Sequence, residues 1–89
     1  MWALLQGVLK RSHEAGIESS PEICGGEPRI VRTRIPVWSL VQLRRLGLSD
    51  TDILKSYPTL RAEDLVHAWA YATWRRSEID EQIRQHEAA

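Results

Sequence analysis

The sequence predicts a mostly α fold, a trihelical helix-turn-helix-like domain preceded by a short β element. Three observations predict it. Apolar residues alternate before Pro36 and recur at helical spacing after it. Gly47 and Pro58 divide that helical part into three pieces. The chain has 89 residues, which is room for one domain.

The elements follow in order. Residues 2–12 suit a short helix, with Trp2, Leu5, Val8 and Leu9 on one face, and Gly16 is its expected stop. Ser19-Ser20-Pro21 reads as a turn, and Gly25-Gly26 with Pro28 as another. A β-compatible piece surrounds Ile17, and a second covers Arg29–Ile35. In the second, Val31, Thr33 and Ile35 alternate with Ile30, Arg32 and Arg34, the pattern of a half-buried strand with one basic face.

Pro36 suits the first position of a helix, where its missing N–H costs nothing. Val37, Leu40 and Val41 then form a helical face flanked by Leu43 and Leu46. Gly47 provides a left-handed stop, and Leu48 can fold back on the last turn. Ser49-Asp50-Thr51-Asp52 has the form of a capping box and opens a short helix with Ile53, Leu54 and Tyr57, which Pro58 ends. A third helix starts near residues 60–62 and carries Leu65, Ala68, Trp69 and Ala72. Glu63 and Asp64 favour its N-terminal dipole. Run unbroken to His86 it would be about 39 Å long, too long for this core. Ser77-Glu78-Ile79-Asp80 resembles a cap, so a break is expected near Ser77. The expected organisation is a 1–16 extension, a 17–76 domain and a charged 77–89 helix.

Composition narrows function. A chain this short has a marginal core. One cysteine, Cys24, excludes an internal disulfide framework, and His13, His67 and His86 make no ligand-spaced motif with it. A partner chain is the remaining support, so a homodimer, higher oligomer or complex is expected. Residues 2–9 are apolar, but no basic stretch precedes them and no small-residue cleavage site follows, so the expected location is a reducing cytoplasm. No phosphate-binding glycine loop, paired-cysteine motif or H-E-x-x-H occurs, and no catalytic residue, cofactor or metal is assigned. The expectation is a protein that is not an enzyme.

Twelve Lys+Arg balance twelve Asp+Glu. The balance is uneven along the chain. Residues 1–27 carry a net −2, residues 28–48 a net +5, and residues 49–89 a net −3. Every base of the middle segment is an arginine: Arg29, Arg32, Arg34, Arg44 and Arg45. These are the candidate nucleic-acid-binding residues, with Arg29, Arg32 and Arg34 as a ribbon against phosphates. Pairing with acids of this chain or a partner is the competing reading. The third helix opens with Arg61, Glu63, Asp64 and His67, whose acids oppose ordinary major-groove docking. The four tryptophans read as core anchors rather than a base-stacking platform, because the arginines are not interleaved with them.

The run Pro21 to Trp38 (PEICGGEPRIVRTRIPVW), then Gly47, Tyr57-Pro58-Thr59-Leu60 and Glu63-Asp64-Leu65, resembles the DUF433 family of small prokaryotic proteins over residues 17–74. The Thr33-Arg34-Ile35-Pro36-Val37 motif following Gly26-x-Pro28-x-Ile30 carries most of the likeness. The resemblance implies a short β element followed by a trihelical domain. It also implies a role: many members look like antitoxins encoded beside a PIN-like ribonuclease toxin. Two departures stand out. The family usually has Gly before the Thr-Arg pair, where this chain has Arg32. It often has Thr or Ser capping the third helix, where this chain has Arg61, a loss of about 0.5–2 kcal/mol unless Thr59 caps instead.

The expectation is therefore an antitoxin-like protein of a type II system, binding and neutralising a PIN-like toxin, with repression of its own operon by DNA binding as a further expectation. The candidate partner-binding arm is the tail with Ile79 and Ile83, rooted at Trp74. Packing of that tail on its own domain, or on a second copy, stays open. The alternatives are a free-standing DNA-binding regulator and a small dimeric scaffold with no nucleic-acid role.

Overall fold

A computed structural model describes residues 16–20 and 26–88. The expected 2–12 helix, Cys24, and Pro21 and Gly25 of the first two turns lie outside the described residues. Within them the chain is mostly α, with a two-stranded antiparallel hairpin and four helices. We number the strands β1 (Ile17–Glu18) and β2 (Arg29–Ile30), and the helices α1 (Val37–Arg45), α2 (Asp50–Ser56), α3 (Ala62–Trp74) and α4 (Arg76–Ala88).

The hairpin pairs Ile17 with Ile30 and Glu18 with Arg29. It starts at Gly16, whose φ of 74° is left-handed. A Cβ there would meet Nδ1 of His67 at 2.2 Å, so glycine lets β1 lie against α3. The half-buried strand expected over 29–35 is not formed. β2 ends at Ile30, and the Ile30 carbonyl accepts the Thr33 N–H at 3.1 Å and the Thr33 hydroxyl at 2.8 Å. Arg32 sits at the third position of that turn with φ 63°, the conformation that a type II turn requires there. Glycine would take that backbone without strain, and here Arg32 adopts it. The chain then returns: the Ile35 carbonyl accepts the Ile30 N–H, and Pro36 bridges Arg29.

Pro36 is the residue before α1 rather than its first, with extended backbone. Its carbonyl accepts from the N–H and hydroxyl of Ser39. Arg44 and Arg45 occupy the last turn, where cations suit the dipole. The α1 stop is a Schellman motif. Gly47 N–H donates to Arg44 O at 3.0 Å, Leu48 N–H to Leu43 O at 3.2 Å, and Gly47 has φ 103°. Leu48 packs on the core as expected, but Leu46 does not flank it. It lies just past the helix end, and 72% of its surface is exposed.

The Ser49 box forms in both directions: Asp52 N–H donates to Ser49 Oγ, and Ser49 N–H to the Asp52 carboxylate. At α3 the arginine before the helix has no acceptor on its side chain. Instead the Asp64 carboxylate takes the Arg61 N–H at 2.9 Å, which supplies one half of a box. The expected break falls at Arg75, two residues before Ser77, with φ −110° and ψ 40°. The Tyr71 hydroxyl donates to Glu78 across it at 2.9 Å.

The core is aliphatic. Ile17, Ile30, Val37, Leu40, Ile53, Leu60, Leu65, Ala68, Ile79 and Ile83 are buried together, with Tyr71 at the edge. Trp38 and Trp69 pack against this core from its margin, while Trp74 is 73% exposed, so the three described tryptophans flank the core rather than fill it. The α1 helix is central and packs on both α3 and α4. The α4 helix is also fastened at its far end. His86 stacks on Trp38 at 3.9 Å between ring centroids, and Glu27 holds both His86 Nε2 (3.0 Å) and Trp38 Nε1 (2.9 Å). No helix among the described residues is long and apolar enough to cross a membrane.

Candidate binding surfaces

Of the five candidate arginines, Arg29 is withdrawn from solvent. Its side chain is 5% exposed; Nη2 pairs with Glu18 at 2.9 Å and Nε donates to the Thr33 carbonyl at 3.1 Å. Burial and those bonds make it part of the hairpin. Arg32 and Arg34 are exposed, and they line one open hollow with Arg29, Glu18 and Thr33, so the three arginines share a surface at the turn but not a strand face.

Arg44 and Arg45 lie elsewhere, on the last turn of α1. The fold brings that turn beside α3 and the start of α4. A groove of about 250 Å³ results, lined by Val41, Arg44, Arg45, Trp69, Thr73 and Arg76. The Arg44 guanidinium sits 4.5 Å from the centre of the Trp69 ring. Arg45 pairs with Asp80, and the Trp69 indole N–H donates to Asp50 at 3.2 Å. One step along the chain, Arg75 lies 5.6 Å from the centre of the Trp74 ring. In sequence the arginines of residues 28–48 and Trp69 are far apart, and only Trp74-Arg75-Arg76 sets the two residue types side by side; in space Arg44 joins Trp69. Linear spacing hides this, because Arg44 and Trp69 are on different helices. Arg76 is part of the site, and no sequence signal singled it out.

The three candidate partner-binding residues separate. Ile79 and Ile83 are 1% and 6% exposed, packed in the core. A partner cannot reach them in this arrangement, and the tail packs on its own domain. Trp74 is the exposed one. It ends a row on the outward face of α3, with Val66 (65% exposed) and Ala70, at i, i+4 and i+8. The opposite face of α3 buries Asp64, Leu65, Ala68 and Tyr71. The outward row is about 12 Å long at ~1.5 Å per residue. Glu63 stands at its N-terminal end, so this face is apolar and acidic. Val66 and Ala70 were readable from the i, i+4, i+8 spacing once the inward face of α3 was set by Leu65 and Ala68. Among the described residues no group of three His, Cys, Asp or Glu side chains could hold a metal ion.

Comparison with known proteins places this fold. It superposes on the crystal structure of a DUF433 member protein from Anabaena variabilis with a TM-score of 0.76 and 38% identity, over 93% of this chain and 81% of that one. It is 38% identical over 56 residues to the uncharacterized protein y4eO of Sinorhizobium fredii, which is 63% of this chain and 25% of that protein. The matched part of this chain thus spans about a quarter of the length of that relative. The family described as protein of unknown function DUF433 matches residues 17–72, from β1 through most of α3. That stretch holds the hairpin, the left-handed turn at Arg32, the Gly47 stop and the capping box, and the chain belongs to the DUF433 family.

Proposed function

We propose that this chain is an antitoxin-like protein that binds and neutralises a PIN-like nuclease, and that it does so with the outward face of α3. The observation that carries the reading is the Val66–Ala70–Trp74 row, an apolar helix face that no described element covers. Two large apolar side chains left in water are stabilised by about 1.5–3 kcal/mol each when a partner buries them fully. An exposed tryptophan is the residue type that most often anchors an interface. The likeness of many family members to antitoxins of PIN-like nucleases implies the nature of the partner. Glu63 stands at the start of this row and Arg75 lies beside Trp74 at its end, so the face carries no net positive charge to draw it into a DNA groove. Repression of its own operon, if it accompanies neutralisation, draws on other residues.

The test is co-expression with the product of an adjacent PIN-like gene, followed by capture and a ribonuclease assay. The native chain is expected to capture and inhibit the nuclease. Val66→Glu or Trp74→Ala should weaken capture about 30- to 100-fold without loss of helix content. Equal capture by Val66→Glu would overturn the assignment. So would light scattering in which that variant only splits a homodimer while capture is unchanged, since the row would then serve self-association.

A further inference from the structure

We infer that the groove between the end of α1 and the α3–α4 junction is a binding site for single-stranded nucleic acid, with Arg44 and Arg76 taking phosphate and the Trp69 side supporting a base. The site uses residues other than the outward row of α3, so the two readings stand or fall separately.

Four observations converge on it. First, the groove has an apolar floor of Val41, Ala72 and the Trp69 ring beneath a rim of guanidinium groups. An anion alone needs no such floor; a planar ring carrying an anion uses both parts. Second, the acids nearby are already engaged. Asp80 holds Arg45, and Asp50 holds the Trp69 indole N–H. Arg44 and Arg76 have no carboxylate partner among the described residues, so they are the two cations left for an incoming ligand. Third, the Arg44 guanidinium is placed by Trp69, 4.5 Å from the ring centre, and none of its N–H groups is held by a carboxylate among the described residues. The guanidinium plane matches two oxygens of a phosphate. Fourth, the volume of about 250 Å³ suits one base with its sugar, not a folded domain. Proteins that hold single strands combine a cationic track with rings on which bases stack. A duplex hides its bases and gains nothing from the floor.

The experiment is fluorescence anisotropy of a labelled twelve-nucleotide single strand titrated with the full chain at several salt concentrations. The expected result is salt-dependent binding that Arg44→Gln/Arg76→Gln weakens at least tenfold. The slope of log K against log salt should fall in magnitude by about 1.4, since each lost phosphate contact on a single strand removes about 0.7. The control is Arg32→Gln/Arg61→Gln, which removes equal charge elsewhere and should leave both quantities nearly unchanged. Arg76→Gln alone, at an exposed position, covers any loss of folding caused by removing Arg44 from Trp69 and should lower the slope by about half as much. Equal weakening by the control double variant would overturn the site. A duplex that binds as tightly would overturn the choice of a single strand, as would a mononucleotide that competes on equal terms. Polyglutamate competing as well as the oligonucleotide would make the groove an acid-binding protein surface, and the absence of binding at low salt would end the proposal.

Discussion

Arg29 and Arg32 are three positions apart and are held in opposite ways. Arg29 is buried, with its charge answered by Glu18, whose own side chain is 43% exposed. The two halves of this pair should differ in cost. Glu18→Ala leaves a buried guanidinium without a counter-charge, and about 3 kcal/mol of stability should be lost. Arg29→Met leaves a carboxylate that water can reach, and keeps the stem's packing, so the loss should be about 1–2 kcal/mol. Urea unfolding of the two variants checks the order. Arg32 is exposed and pays for its left-handed backbone, roughly 1–2 kcal/mol for a residue with a Cβ. Arg32→Gly relieves that strain and returns part of the gain as unfolded-state entropy. A net rise of about 0.5–1 kcal/mol is expected, and Arg32→Val should lose stability because a branched Cβ tolerates that conformation least. Calorimetric melting of both variants tests the turn.

At the scale of elements, what the sequence made legible was local chemistry. Gly47 with Leu48, the Ser49–Asp52 box and Pro58 act on bonds within a few residues, and each places a boundary where the structure has it. The break before α4 was readable for the same reason, and it falls two residues earlier, at Arg75, where the Tyr71–Glu78 hydrogen bond spans it. What was not legible depends on residues far apart. The β alternation of residues 29–35 is real as a pattern, but the bond from Ile30 N–H to Ile35 O turns the chain back instead of extending it. The arginine–tryptophan groove likewise needs α1 and α3 side by side. The tail shows the same limit: Ile79 and Ile83 look like a sparse arm in sequence, yet both are core residues. Ile79→Ala should therefore cost about 2–4 kcal/mol. A chain ending at Arg75 should lose its cooperative unfolding transition altogether. A truncated chain that melts as sharply as the full one would show that α4 is dispensable to the core.

Across the whole molecule, the zero net charge conceals two chemically different surfaces. One is the outward face of α3, apolar with an acid at its start; the other is the groove with two uncommitted arginines. A protein partner suits the first and a phosphate-bearing strand the second. The core itself includes α4, which leaves neither surface dependent on an arm that must swing out. The central claim is that a nuclease partner meets Val66 and Trp74 while Ile79 and Ile83 stay packed. The most direct measurement is a methyl and indole NMR titration of this chain with the PIN-like partner. On binding, the Val66 methyl and Trp74 indole signals should shift, whereas those of Ile79 and Ile83 should keep their free-state positions. Large shifts at Ile79 and Ile83 with an unchanged Val66 would contradict it, because α4 would then be the arm and the face of α3 a bystander.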